Sequence, residues 1–253
     1  MFWLIDHPLV FFVSTFVVLM AATRIGVVVR LRGHFQSTIE RQEFDIVRAA
    51  MLTLLGLLVG FAISMAVSRY DLRKTMEEQE ANAIGTEYAR LELMPAGVTA
   101  SARALLRSYT DLRIAFYLHR KLDQQQKIEA ETVRTLDALW AAIAPEVEAR
   151  PTAVAALVAS GMNDVMNSQS YTLAAWRNRL PIEVWLLLIL VATSCNVLIG
   201  VGAEKLSPAT RAVLPATVAL AFFLIADVES PRNGLVQIEP SNLEDVAALM
   251  NGK

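Results

Sequence analysis

Apolar positions along the chain fall into two blocks, separated by a long polar stretch. Two uncharged runs of 20 residues, 49–68 and 184–203, are long enough to cross the hydrocarbon core of a bilayer as helices. A third apolar run, 8–29, contains one charge, Arg24, and a fourth, about 208–227, follows Arg211 closely. The pattern predicts four transmembrane helices, at residues 8–29, 49–68, 184–203 and 208–227.

The polar middle, residues 69–181, has helical rather than strand-like periodicity. Pro95 and Gly97 indicate a turn after a first helix, and Thr99 or Ser101 is a possible cap for the second. A third helix is expected over about 127–144, ended by Pro145, and a fourth over 152–179. The predicted fold class is an all-α membrane protein, with a helical soluble domain inserted between spans 2 and 3.

The last segment, residues 228–253, has its own pattern. Pro231 and Gly234 predict a turn, and alternation around Val236 and Ile238 favours a short extended piece. Ser241 or Asn242 then suits the start of a helix. A tail so patterned is expected to dock on the middle helices.

The amino-acid composition indicates a membrane protein rather than a typical soluble domain or a nucleic-acid-binding protein. Hydrophobic residues make up 55% of the 253, and charged residues only 19%, against about 25% in typical soluble domains. The net charge of −2 gives no reason to expect a nucleic-acid partner. Positive charges near the membrane divide six against six between the two sides, so the positive-inside rule does not set the orientation.

Catalytic and cofactor chemistry is not indicated. His7, His34 and His119 are scattered, the single Cys195 lies in an apolar run, and no phosphate-binding loop or zinc spacing occurs. We therefore expect neither an enzyme nor a bound metal or cofactor.

The second span carries a stripe of small residues. Thr53, Gly56, Gly60 and Ser64 recur on one side, with Phe61 beside them. Small residues let helices approach closely in lipid. Two interpretations are open: packing among the four spans of one chain, or a face that borders a pore or a subunit interface.

A long motif follows this span. It comprises Arg69, Tyr70, Asp71 and Arg73, and then the run "EANAIGT", with Glu80, Asn82, Gly85 and Thr86. The acids Glu77, Glu78 and Glu80 are of a kind that usually forms a solvated face. Gly85 indicates either close approach of another part of the backbone or a local bend.

Residues 54–95, with the tail positions Asp227, Pro231 and Gly234, resemble the bestrophin-like family of bacterial membrane proteins. Two positions depart from its pattern: Gln79 is neutral where an acid is common, and Met94 replaces the leucine before Pro95.

The resemblance implies kinship with bestrophins, which are pentameric anion channels with four spans per subunit. It implies a homo-oligomeric ion channel in the bacterial inner membrane, with lipid, small ions and further copies of the chain as partners. Both termini and residues 69–181 would then be cytoplasmic. An alternative is a non-conducting scaffold or sensor that binds a partner protein through its cytoplasmic helices.

Overall fold

Helices account for almost the whole chain. A computed structural model describes residues 2–32, 38–202, 207–230 and 232–252, and these contain no strand. The helices are α1 (Phe2–Ile5), α2 (Pro8–Arg32), α3 (Thr38–Arg90), α4 (Ala96–Leu118), α5 (Leu122–Ala149), α6 (Ala153–Arg177), α7 (Ile182–Gly202), α8 (Pro208–Glu229) and α9 (Ser241–Met250), with a 3₁₀ turn at Leu91–Leu93. The predicted all-α class is confirmed.

Four helical stretches of the described chain are long and apolar enough to cross a membrane. They lie within Pro8–Leu31, Arg41–Leu93, Ala153–Gly202 and Ala209–Glu229. The four predicted spans fall on α2, α3, α7 and α8 respectively. Residue 203, the predicted end of the third span, lies outside the described residues.

The helices belong to two compact units. Unit 1 comprises Met1–Tyr70 and Arg179–Gln237, and unit 2 comprises Asp71–Asn178 and Ile238–Lys253. Helix α3 contributes to both, because the boundary falls after Tyr70.

Unit 1 has an apolar core of aromatic and aliphatic side chains. The ring of Trp185 on α7 meets Phe11 of α2 edge to face at 5.2 Å, and Phe222 of α8 at 6.3 Å. The core includes Phe11, Leu19, Leu55, Ala62, Ala66, Leu188 and Ile225. Most other apolar side chains of α2 point outward, as expected of a helix in lipid.

Helices α2 and α7 approach each other closely at two glycines. A methyl group at Gly26 would collide with the Val197 carbonyl oxygen, and one at Gly200 with the Thr23 carbonyl oxygen. Nearby, the Thr23 hydroxyl donates to Asn196 Oδ1 at 3.3 Å. These positions were not predicted, because each glycine is isolated in its own helix.

Unit 2 is a helical domain with its own core. Phe116, Tyr117 and Trp176 pack edge to face with centroids 4.9–5.5 Å apart. The unit also buries apolar side chains completely, among them Leu106, Leu139, Val158, Met162 and Val165.

Several predicted helix ends need correction. Pro145 lies inside α5, which continues to Ala149; Ile143 before it is buried and Val147 after it is half-buried. Thr99 does not cap α4, which begins at Ala96; its hydroxyl donates instead to the carbonyls of Leu91 and Met94. Thr152 does cap α6, accepting from Ala155 N at 3.1 Å.

Candidate functional site

Helix α3 presents different residues to the core and to the outside in unit 1. Leu55, Ala62 and Ala66 are buried in the core of the unit. The predicted stripe lies on the other side, where Thr53, Gly56, Gly60, Phe61 and Ser64 are all exposed in the single chain.

No part of the described chain covers this stripe. A methyl group added at Gly56 or Gly60 would meet no atom within 4 Å, and Phe61 is 57% exposed. The Thr53 hydroxyl bonds only to the Ala49 carbonyl of its own helix, at 3.0 Å. The interpretation that the stripe packs against other spans of the same chain is therefore not supported.

In unit 2, α3 and the 3₁₀ turn that follows it carry a row of side chains that point inward, and four of these are charged. We call this row the inward stripe: Arg73, Glu77, Glu80, Ile84, Glu87 and Leu91, at alternating spacings of four and three residues. All six are 1% exposed or less. The expectation that the acids of this turn form a solvated face is correct for Glu78, which is exposed, and wrong for Glu77 and Glu80.

Arg73 binds the C-terminal end of α6. Its Nε donates to the Ala175 carbonyl at 3.3 Å, and its Nη2 donates to the Asn178 carbonyl at 3.1 Å. The last carbonyls of a helix have no partner within the helix and attract positive charge. The buried Arg73 guanidinium supplies both the hydrogen-bond donors and the positive charge.

Glu77 binds the N-terminal end of α9. It accepts from Leu243 N at 3.0 Å and from Asn242 Nδ2 at 2.6 Å. The predicted local cap by Ser241 or Asn242 is wrong: Pro240 is the N-cap residue and makes no side-chain cap, and Asn242 donates to Glu77 instead. A carboxylate from α3 takes that role and complements the helix dipole.

Glu80 is the centre of a buried polar network. Its carboxylate pairs with the Arg113 guanidinium of α4, and it accepts from Tyr109 at 3.2 Å and Thr172 at 2.9 Å. Burial lowers the pKa of Arg113, but the adjacent Glu80 carboxylate more than offsets this, so the net shift is upward. Burial and the Glu80 charge also raise the pKa of Tyr109. The Arg113 guanidinium therefore stays positively charged beside the Glu80 carboxylate.

The remaining "EANAIGT" positions divide between two faces. Asn82 and Thr86 are exposed, while Gly85 faces α9. A methyl group at Gly85 would lie 3.6 Å from Val246, which is an ordinary contact. Gly85 therefore packs against α9 of the returning tail. The distance to Val246 leaves room for alanine at position 85.

The motif residue Arg69 and the tail position Asp227 both lie in unit 1, near the C-terminal end of α8. Arg69 lies 3.6 Å from the buried Glu229 carboxylate, which also accepts from Leu180 N at 2.7 Å. Tyr70 is half-buried, while Asp71, the first residue of unit 2, is exposed.

Asp227 closes the turn after α8 by accepting from Leu235 N at 2.6 Å and Val236 N at 3.0 Å. Gly234 is required there, because a methyl group would collide with the Asp227 carbonyl oxygen. Pro231 lies outside the described residues. The expected extended piece at Val236 and Ile238 has no strand pairing.

Comparison with known proteins decides the family. A family model described as the bestrophin-like domain matches residues 10–243. The chain belongs to the bestrophin-like family. No curated protein matches this bestrophin-like chain.

Solved structures share the fold of this bestrophin-like protein. Three of them are single-residue variants of a bacterial bestrophin homologue from Klebsiella pneumoniae. Each is 14% identical in sequence to the present chain, and the TM-scores are 0.66, 0.66 and 0.64. The matches cover 95%, 96% and 95% of this chain and 99%, 97% and 99% of the other. The family and the four apolar helices together make the protein a multi-pass membrane protein.

Some residues of this site were not predicted from the sequence. Arg113, Tyr109 and Thr172 complete the Glu80 network, yet no motif identified them. The alternating spacing of the inward stripe was a usable signal, because it is the period of a buried helix face. Among the described residues, no group of three or more His, Cys, Asp or Glu side chains could hold a metal ion.

Proposed function

We propose that this protein is a homo-oligomeric ion channel in which α3 is the helix nearest the symmetry axis. The observation that carries this proposal is the exposed stripe of α3, which no other part of the described chain covers. Copies arranged around an axis would bring equivalent stripes together.

The composition of the stripe suits the lining of a pore. Gly56 and Gly60 permit close approach of helices, and the hydroxyls of Thr53 and Ser64 offer polar groups along the path. Phe61 is the one bulky member, and it would narrow the opening. One chain alone, with its stripe facing outward, encloses no pore.

The proposed arrangement has spans at residues 8–29, 49–68, 184–203 and 208–227. The soluble helical domain of residues 69–181 would be inserted between the second and third spans. Both termini, this domain and the tail of residues 228–253 would be cytoplasmic, and the membrane would be the bacterial inner membrane. Membership of the bestrophin-like family supports this arrangement.

Anion permeation is compatible with the charges of unit 2. An acidic turn facing the path would repel anions, but Glu77 and Glu80 are buried and bonded to α9 and α4. Only Glu78 of the three is exposed.

Planar-bilayer recording of the purified protein tests the proposal. We expect ion-selective currents, and Phe61→Ala should change the single-channel conductance because it removes the bulky member of the stripe. Val13→Ala, on an exposed part of α2, is the matched control and should conduct like the wild type. A strictly monomeric particle in mild detergent would contradict the proposal.

The second candidate is a non-conducting scaffold or sensor. Unit 2 exposes large apolar side chains that could bind a partner protein, including Tyr171 at 60% and Trp140 at 39%. This function predicts no current in any salt, together with a stable complex that is lost when Tyr171 and Trp140 are replaced by serine.

A further inference from the structure

Glu87 is the charged member of the inward stripe whose carboxylate has no hydrogen-bond partner among the described residues. Its side chain is 0% exposed, and neither carboxylate oxygen accepts a hydrogen bond from the described residues. Arg73, Glu77 and Glu80 each bind a partner on another helix. A buried carboxylate without donors is costly in its charged form.

The carboxyl group of Glu87 lies directly against Gly161 of α6. A methyl group at Gly161 would collide with Glu87 Oε2. Glycine within a helix is destabilising relative to alanine, so its presence in the middle of α6 needs a reason. Glycine at position 161 leaves space for the Glu87 carboxyl group.

The charged groups around Glu87 compensate it poorly. On α3, Arg90 Nη1 is 4.0 Å from Glu87 Oε2, and the same nitrogen is 3.8 Å from the exposed Asp164 of α6. From α4, Arg103 is already engaged by the Tyr88 carbonyl and by Glu92. The positive charge nearest to Glu87 is therefore shared with a second acid.

Burial raises the pKa of Glu87, Arg90 lowers it and Asp164 raises it, and the net result is a pKa raised from 4.5 to about 8. The protonated acid is consequently the main form of the closed contact at neutral pH.

We propose that Glu87 and Gly161 form a proton-dependent contact between α3 and α6, which is closed when the carboxyl group is protonated and loosens when it ionises. The contact lies within unit 2 and does not rest on the proposed channel activity.

The direction of the pH effect follows from linkage. The pKa of Glu87 is raised in the closed contact, so the stabilisation is complete below pH 4.5 and is lost as the pH rises to about 8. Across this window the opening equilibrium should rise by up to about tenfold per pH unit and then level off.

Hydrogen–deuterium exchange of the full-length protein in detergent tests the proposal. Exchange of residues 81–90 and 155–165 is compared between the wild type and Glu87→Gln, from about pH 5 to about pH 9. The ratio of wild-type to variant exchange should rise with pH and level near pH 8. Glu78→Gln, an exposed acid on the same helix, is the matched control and should behave like the wild type.

Infrared spectroscopy gives a second measurement if Glu87→Gln does not fold. The wild type should show a protonated carboxyl band that disappears between about pH 7 and about pH 9. Gly161→Ala, which displaces the acid, should weaken this band at neutral pH. The proposal is overturned if no such band titrates in the wild type, or if exchange has the same pH dependence in the wild type and Glu87→Gln.

Discussion

Glu80 and Arg113 form an ion pair with no exposed surface on either side chain. Burying two charges is costly, and their attraction repays the cost only when further hydrogen bonds complete the network. Tyr109 and Thr172 supply such bonds to Glu80. Arg113 Nη1 has no hydrogen-bond partner among the described residues, so we expect the network to contribute more to the unique packing of α3, α4 and α6 than to net stability.

Removing one partner should be much worse than removing both. Glu80→Gln leaves the Arg113 charge buried and unpaired, and should lower the free energy of unfolding by about 3–5 kcal/mol. Glu80→Leu combined with Arg113→Met removes both charges and should cost less than either single change. Unfolding midpoints of the purified variants measure this, with Glu78→Gln as the exposed control. Equal losses for Glu80→Gln and Glu78→Gln would contradict the argument.

At the residue level, the sequence revealed the identity of the motif but not its role. "EANAIGT" identified the family correctly, and Gly85 does face a neighbouring helix. The buried state of Glu80 could not be inferred, because its partners lie 33 and 92 positions away, on α4 and α6. Such long-range pairing leaves no local trace in one sequence.

At the scale of elements, the tail is held by a cap from another helix. Glu77 satisfies the first turn of α9. At the other end of α9, the Tyr88 hydroxyl donates to the Met250 carbonyl at 3.2 Å. Both contacts come from α3, so this helix fixes both ends of the tail helix within unit 2.

Glu77→Ala should release α9 without unfolding the rest of unit 2. Loss of an N-cap costs about 0.5–2 kcal/mol, which is enough to raise local opening several-fold. Hydrogen–deuterium exchange in residues 241–250 should increase, while α5 stays protected. Glu78→Ala is the matched control. Unchanged exchange in the tail would mean that apolar contacts alone, such as that of Leu243, hold it.

The glycines of unit 1 make a second test at the element scale, because they differ in surroundings. Gly26→Ala places a methyl group against the backbone of α7, whereas Gly56→Ala meets nothing within the chain. Overpacking of this kind costs about 1–3 kcal/mol. We expect a lower unfolding midpoint for Gly26→Ala than for the wild type. The unfolding midpoint of Gly56→Ala should not fall in this way. Equal midpoints for the two variants would show that α2 and α7 can separate at little cost.

Helix existence was easier to predict than helix ends. Apolar length gave the four membrane helices, because a bilayer fixes how many apolar residues are needed. Helix α5 continues through Pro145, where the local signal predicted an end, and the cap of α9 by Glu77 depends on a contact between helices. Local turn signals cannot report such contacts.

At the scale of the whole molecule, the bestrophin-like chain leaves polar and small residues of α3 uncovered between apolar surfaces. In lipid, association is driven by close packing and by polar contacts rather than by the hydrophobic effect. A stripe of Gly, Ser and Thr is therefore suited to meet copies of itself or water, while the exposed valines of α2 are suited to meet lipid.

Cysteine cross-linking distinguishes these two surfaces in the membrane. In a Cys195→Ser background, Ser64→Cys should form covalent dimers with a short bis-maleimide, because the proposed axis would bring equivalent α3 helices together. Val17→Cys, at an exposed position of α2, should remain monomeric, because it would face lipid. Denaturing gels of treated membranes give the measurement. Cross-linking of Val17→Cys but not Ser64→Cys would place α2, rather than α3, next to the axis and would require a different pore.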